Sequence, residues 1–311
     1  MSMKILSAVL AAAMTAMLAA CGGSTASTTA AAPAETKAAE TKAEETKAEE
    51  TKAEETKAEE TKAEETKAEE TKAEESKAEE APAAELETVQ KGKLVMVTNA
   101  EFPPYEFHDQ NAIVGIDVEI AGAIAEQLGL ELEIEDIAFD SIIPEIVSGK
   151  ADIGAAGMTV TEDRKQNVDF SDTYAHATQV IIVKEDSEIK GVADLEGKIM
   201  GVQQGTTGDI YVSGDYGDEA VERYAKGMEA VQALAQGKVD AVVIDGEPAK
   251  QYIKEVEGLK IIDESYTDED YAIAIKKGNT AMVEAVNAAL AELKSEGKLD
   301  EIVAKYIQAE Q

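Results

Sequence analysis

From residue 94 onward the chain switches repeatedly between short apolar runs and segments whose apolar positions recur every three or four residues. LVMVT (94–98), TQVIIVK (178–184), VDAVVID (239–245), LKIID (259–263) and YAIAIKK (271–277) have the length and composition of strands. LELEIEDI (130–137) alternates apolar and acidic residues, as a strand with one wet face does. ADIGAAG (151–157) and KIMGVQQ (198–204) read as further strands, the second leading into a glycine-threonine turn. Between the strands, GIDVEIAGAIAEQLG (115–129) places Ile116, Ile120, Ala123, Ile124 and Leu128 near one helical face and ends in glycine. SIIPEIVSGK (141–150) predicts a short helix with Ser141 as its cap; 228–237 and 247–257 predict two more, and 280–295 and 298–307 two closing helices. Strands alternating with helices predict an α/β protein with mostly parallel sheets. The 224 residues from 88 to 311 suit two lobes better than one core.

Upstream of residue 88 the pattern is of another kind. Residues 1–21 have a lysine at position 4, an apolar run over 5–18 too short for a comfortable membrane span, then small residues leading to Cys21. Leu18-Ala19-Ala20-Cys21 resembles a bacterial lipobox, which implies cleavage before Cys21 and lipid attachment to its sulfur. The expected domain 22–87 is a tether. From Thr36 to Glu80 it runs as nine pentads, mostly TKAEE. A five-residue period leaves no consistent apolar face, so no coiled-coil seam forms. Such a run is a solvated, self-repelling spacer, helical in part.

Charge excludes some partners. The chain carries −35 overall, and residues 88–311 hold 19 Lys and Arg against 44 Asp and Glu. That surface repels phosphate backbones, so no nucleic-acid partner is expected. Cys21 is the only cysteine, which rules out an intrachain disulfide, and no cysteine-based metal site or cofactor is expected. No Ser–His–Asp pattern surrounds either histidine, His108 or His176.

The chemistry-bearing residues cluster in EFPPYEF (101–107), 139–174, VQQGTTG (202–208) and VDAVVIDGE (239–247). Arg164 is one of two arginines in the chain, and its planar fork suits a carboxylate; it could equally be a surface residue at a helix start. Gly157 and Thr159 precede it, as turn and cap residues or as ligand contacts. Gly205, Thr206 and Thr207 open a helix, where free N–H groups attract anions; the lysine of a phosphate-binding loop is missing. Asp245 ends a strand, where an aspartate points into a crevice or caps the next helix. Phe102 and Phe139 are core residues or aromatic walls.

In this order, NAEFPPYEF, VGIDVEIAGAIAEQLG, FDSIIPEIVSGKADIGAAGMTVTEDRKQNVDFSDTY, GVQQGTTG, GKVDAVVID and the closing helices resemble the polar amino-acid-binding proteins of bacterial ABC importers, the extracellular solute-binding proteins of family 3. The resemblance covers residues 88–311. It implies a periplasmic-binding-protein-like fold: two α/β lobes joined by two crossing hinge strands, with the ligand in the cleft between them. The expected lobes are 88–174 with 271–311, and 175–270. It also implies roles. Arg164 takes the carboxylate of a free L-amino acid, with Gly157 and Thr159. Asp245 pairs with its ammonium, and Thr206 and Thr207 join on closure. Phe102 and Phe139 sandwich the side chain. Tyr105 is expected in lobe packing. Asn99 stands where relatives that prefer cationic side chains carry an aspartate, and Gln203 and Ile244 are also uncharged. A neutral, polar amino acid is therefore expected, with Glu101 or His108 at the rim as the charges that would alter this. The implied partners are an ABC permease and ATPase, with the membrane reached through a lipid anchor. A monomer on the extracytoplasmic face, without enzymatic activity, is expected. The alternative is an enzyme of the same fold, a lyase resembling cyclohexadienyl dehydratase.

Overall fold

The computed structural model describes residues 86–307. The expected signal segment, Cys21 and almost all of the tether lie outside the described residues, as do 308–311. Four strands and a helix start the fold. The apolar run becomes β1 (Lys93–Thr98), buried from Leu94 to its end. A small meander follows, made of β2 (Glu101–Phe102), β3 (Glu106–Asp109) and β4 (Ala112–Val114). Then comes α1 (Ile116–Gln127), whose Ile116, Ile120 and Ile124 are buried, as the spacing requires.

The first lobe is built on a five-stranded sheet. Its order is β5 (Glu131–Asp136), β1, β6 (Ile153–Gly154), β14 (Ala274–Lys276) and β7 (Val168–Phe170). β5 is the edge strand, which accounts for its alternation of apolar and acidic residues. Side chains of β1 alternate between two cores. Leu94 and Met96 pack with α1, while Val95 and Val97 pack with Ile142 and Ile146 of α2 (Ile142–Val147). On the α1 side, α7 (Thr280–Ser295) and α8 (Lys298–Tyr306) complete the layer.

The second lobe is built on a six-stranded sheet. Its path is β10 (Val221–Tyr224), β9 (Met200–Gln203), β11 (Ala241–Asp245), β8 (Ala175–Lys184) and β12 (Leu259–Ile261), and β13 (Thr267–Tyr271) also pairs with β8. Helices α4 (Thr207–Tyr216), α5 (Gly227–Ala235) and α6 (Gly246–Glu255) pack on it. The two α/β lobes are joined by two strands. β8 leaves the first lobe, β13 returns to it, and they pair antiparallel from Thr267 opposite Gln179 to Tyr271 opposite Ala175.

Four expectations change. The sheets are mixed: β1, β5 and β6 run parallel, as do β9, β10 and β11, but β14 and β8 enter antiparallel. A chain crossing between lobes arrives in the opposite direction to the local βαβ units. The run 271–277 is broken, because Tyr271 ends β13 and β14 begins at Ala274, on the way from one lobe to the other. Only 153–154 of the small-residue stretch 151–157 is strand. Ser141 provides no side-chain cap; its hydroxyl turns to Asp140 instead.

Candidate functional site

The C-terminal end of β1 and the turns near it form one wall of a small cavity. Asn99 follows β1 directly and donates through Nδ2 to the Ile137 carbonyl at 2.9 Å. Phe102 is held by Tyr105, whose ring stacks on it at 6.0 Å and meets Tyr271 edge-on at 5.1 Å. Tyr105 is thus a packing residue, as expected. Gly157 has φ +52°, and a Cβ there would lie 2.9 Å from the Phe102 ring, so only glycine lets the chain pass this close. Its N–H donates to Asp117 Oδ2 at 2.8 Å.

Arg164 is held by a one-turn helix, α3 (Glu162–Lys165), capped by Thr161. Its guanidinium is buried, with NH1 donating to the Thr159 carbonyl at 2.7 Å and NH2 to the Gly205 carbonyl at 3.2 Å. It lies 5.4 Å from the centre of the Phe139 ring. The Thr159 hydroxyl does not cap a helix; it donates to Glu269 Oε2 at 2.9 Å. Burial lowers the Arg164 pKa, and the nearby Glu269 opposes that shift.

The opposite wall comes from the second lobe. Gln203 ends β9 and donates through Nε2 to Asn99 Oδ1 at 2.9 Å. Thr206 caps α4 by accepting from the Asp209 N–H at 3.3 Å and donates to the Gln203 carbonyl at 2.8 Å. Thr207 is buried beside Gln179. Asp245 ends β11, and its side chain does not cap α6. Its Oδ2 accepts from Gln179 Nε2 at 2.7 Å. Burial pushes this carboxyl up to about 8; hydrogen bonds from Tyr271 and Gln179 oppose the shift, and the nearby Glu269 adds to it.

All ten residues expected to touch a ligand therefore line this cavity: Asn99, Phe102, Phe139, Gly157, Thr159, Arg164, Gln203, Thr206, Thr207 and Asp245. Ile244 does not line it; it packs in the core under Gly227. The rim charges are engaged elsewhere. Glu101 pairs with Lys226 across the lobes at 2.5 Å, and His108 sits 2.8 Å from Asp136 on the surface. Sequence reasoning missed three buried polar residues. Glu106 lines the cavity, and Gln179 and Glu269 stand behind Asp245. Glu106 was detectable as an acid inside the aromatic run FPPYEF, and Gln179 as the polar position inside an apolar strand.

A buried guanidinium on one lobe and a buried carboxyl on the other, around one small cavity, match the two ends of a zwitterion. No group of metal-ligating side chains gathers among the described residues. The profile of the bacterial extracellular solute-binding proteins, family 3, matches residues 94–309. The chain belongs to that family. Its relatives are named as binding proteins of ABC transport, not as enzymes. The arginine-binding extracellular protein ArtP of Bacillus subtilis (strain 168) is 35% identical over 71% of this chain and 88% of its own. The ABC transporter glutamine-binding protein GlnH of the same organism is 35% identical over 63% of this chain and 73% of its own. A solved ancestral arginine-binding protein bound to glutamine superposes with a TM-score of 0.67 at 42% identity, over 71% of this chain and all of the other. This family 3 protein shares the fold of such binders, with the cavity set between its lobes.

Proposed function

We propose that this protein captures a free L-amino acid outside the cytoplasm and delivers it to an ABC importer. The observation that carries the proposal is the pairing of buried Arg164 with buried Asp245 across one cavity. Arg164 receives the α-carboxylate, helped by Thr159 and Gly157. Asp245 receives the ammonium, whose charge offsets the burial that holds this carboxyl near 8. Phe102 and Phe139 provide flat apolar walls. Closure about β8 and β13 brings Thr206, Thr207 and Asp245 against a ligand already held by the first lobe. The closed form docks as a monomer on the permease, and the ATPase drives release. Cys21 carries the lipid that anchors the chain to the extracytoplasmic face of the membrane, and the repeat tether holds the lobes away from it.

The sequence favoured a neutral polar side chain because Asn99 and Gln203 are uncharged. The buried carboxyl of Glu106, on the same wall, shifts that balance toward a cation. A thermal-shift screen of the full chain against the twenty amino acids, cystine and ring carboxylates tests the capture step. A ligand that binds only the folded state raises the melting point. A shift with an amino acid that vanishes in Arg164→Ala and Asp245→Ala supports the proposal. A shift with a ring carboxylate alone would replace it with the enzyme reading.

A further inference from the structure

Each aromatic wall of the cavity has an acidic neighbour in sequence. Glu101 precedes Phe102 in β2, and Asp140 follows Phe139 in a single short turn, Phe139–Ser141. Side chains alternate along a strand, so Phe102 turns inward to the cavity and Glu101 outward to the rim. Both acids belong to the first lobe, and both are held by the second.

Glu101 is held twice. Its Oε1 accepts from Lys226 Nζ at 2.5 Å, and its carbonyl accepts from the Tyr252 hydroxyl of α6 at 2.5 Å. Lys226 is the residue before α5, and its place is fixed by its neighbour. Gly227 opens α5 so tightly that a Cβ there would lie 2.6 Å from the Ile244 side chain and 3.3 Å from the Tyr252 ring. At the other wall, Asp140 Oδ2 accepts from Gln204 Nε2 at 2.7 Å. The turn after Gln204 runs close along the same residue: a Cβ on Gly205 would lie 3.0 Å from that of Asp140. Ion pairs such as Lys93 with Glu133 and Lys277 with Asp169 stay within the first lobe. The contacts of Glu101 and Asp140 span the lobes, so they exist only while the lobes are together.

We infer that Glu101 and Asp140 are the catches of the closed cleft, which set how long a captured amino acid stays rather than which one is taken. The inference rests on the amino-acid reading above. A ligand leaves only when the lobes part, and parting breaks the Lys226, Tyr252 and Gln204 contacts together. Entry takes place with the lobes apart, before any of these contacts has formed. The catches therefore act on release and not on uptake, and by one factor for every ligand. The Glu101 ion pair is partly exposed, its side chains being 31% and 46% accessible, so salt weakens it. The ligand charges held by buried Arg164 and Asp245 are screened much less.

Release is read by loading the full chain with each of the twenty amino acids, radiolabelled, and adding an unlabelled excess; uptake is timed separately. Glu101→Gln and Lys226→Gln are each expected to speed release about two- to fivefold, equally for every amino acid bound, with uptake unchanged. Both remove the same pair, so the double variant releases no faster than either alone. Asp140→Ala, at the other wall, multiplies the effect. Release from the unmodified chain quickens as sodium chloride rises, and that salt dependence is lost in Glu101→Gln. Should the variants fail to fold, the salt dependence of the unmodified chain decides. Release no faster in Glu101→Gln, factors that differ between amino acids, a further gain in the double variant, an effect on uptake in place of release, or release indifferent to salt in the unmodified chain overturns the inference and leaves amino-acid capture intact. No binding of any amino acid overturns both.

Discussion

Replacing Asp245 with asparagine is expected to stabilise the ligand-free protein while destroying its affinity. The carboxyl is buried at the end of β11, with one amide donor from Gln179, and its pKa is raised to about 8. Unfolding returns it to water, where a carboxyl titrates near ~3.9. The folded-state value lies above the unfolded one, so the unfolded chain loses its proton first. The contribution of this group to stability is therefore complete below about pH 4. It is lost as pH rises towards about 8. At pH 7 the loss amounts to about 4 kcal/mol. Asparagine keeps the acceptor for Gln179 and has no such loss. In a fold of this size the variant should melt about 10 °C higher than the unmodified chain at pH 7, with the gap closing towards pH 4. A ligand ammonium, however, would then face an uncharged amide. Removing one partner of a buried charge pair costs about 2–5 kcal/mol, so affinity should fall at least about thirtyfold. Melting curves across pH without ligand, with calorimetry on the same samples, read both effects. A variant that melts no higher than the unmodified chain at pH 7, or a gap that does not grow with pH, would refute the burial argument.

Other expectations concern single residues. Arg164→Lys should lower amino-acid affinity about a hundredfold in calorimetry, because an ammonium cannot hold the Thr159 and Gly205 carbonyls and a ligand carboxylate with one planar fork. Gly157→Ala should destabilise the fold by about 1–3 kcal/mol in denaturant melts, from its left-handed backbone and the contact with Phe102. Cys21→Ala should abolish incorporation of labelled palmitate and release the protein from the membrane fraction; retention of label would remove the lipid-anchor proposal.

Much of the site was legible because its residues sit at positions that local pattern identifies. Asp245 lies at the end of an apolar strand, Thr206 and Thr207 at the start of a helix, and Arg164 one turn after a capping threonine. Periodicity reports which way a side chain faces within its own element. That was enough to locate β1, α1 and the lobe-forming alternation of strand and helix. The ligand roles themselves entered through resemblance, since an isolated arginine or phenylalanine has several uses.

Local pattern carries no information about distant neighbours. Gln203 and Asn99 are 104 residues apart and share a hydrogen bond; Gln179 reaches Asp245 across 66 residues and Glu269 across 90. The direction in which β8 and β14 enter their sheets depends on how the chain crosses between lobes. The state of Glu106 was likewise decided in three dimensions. As a strand residue among aromatics it reads as one of many glutamates in an acidic chain. Folding places it beside Asp117, fully buried against the cavity. The sequence by itself determined which elements form and where polar groups leave them. Only the tertiary structure decided which charges end up buried together, because desolvation and pairing are properties of the assembled neighbourhood rather than of any segment.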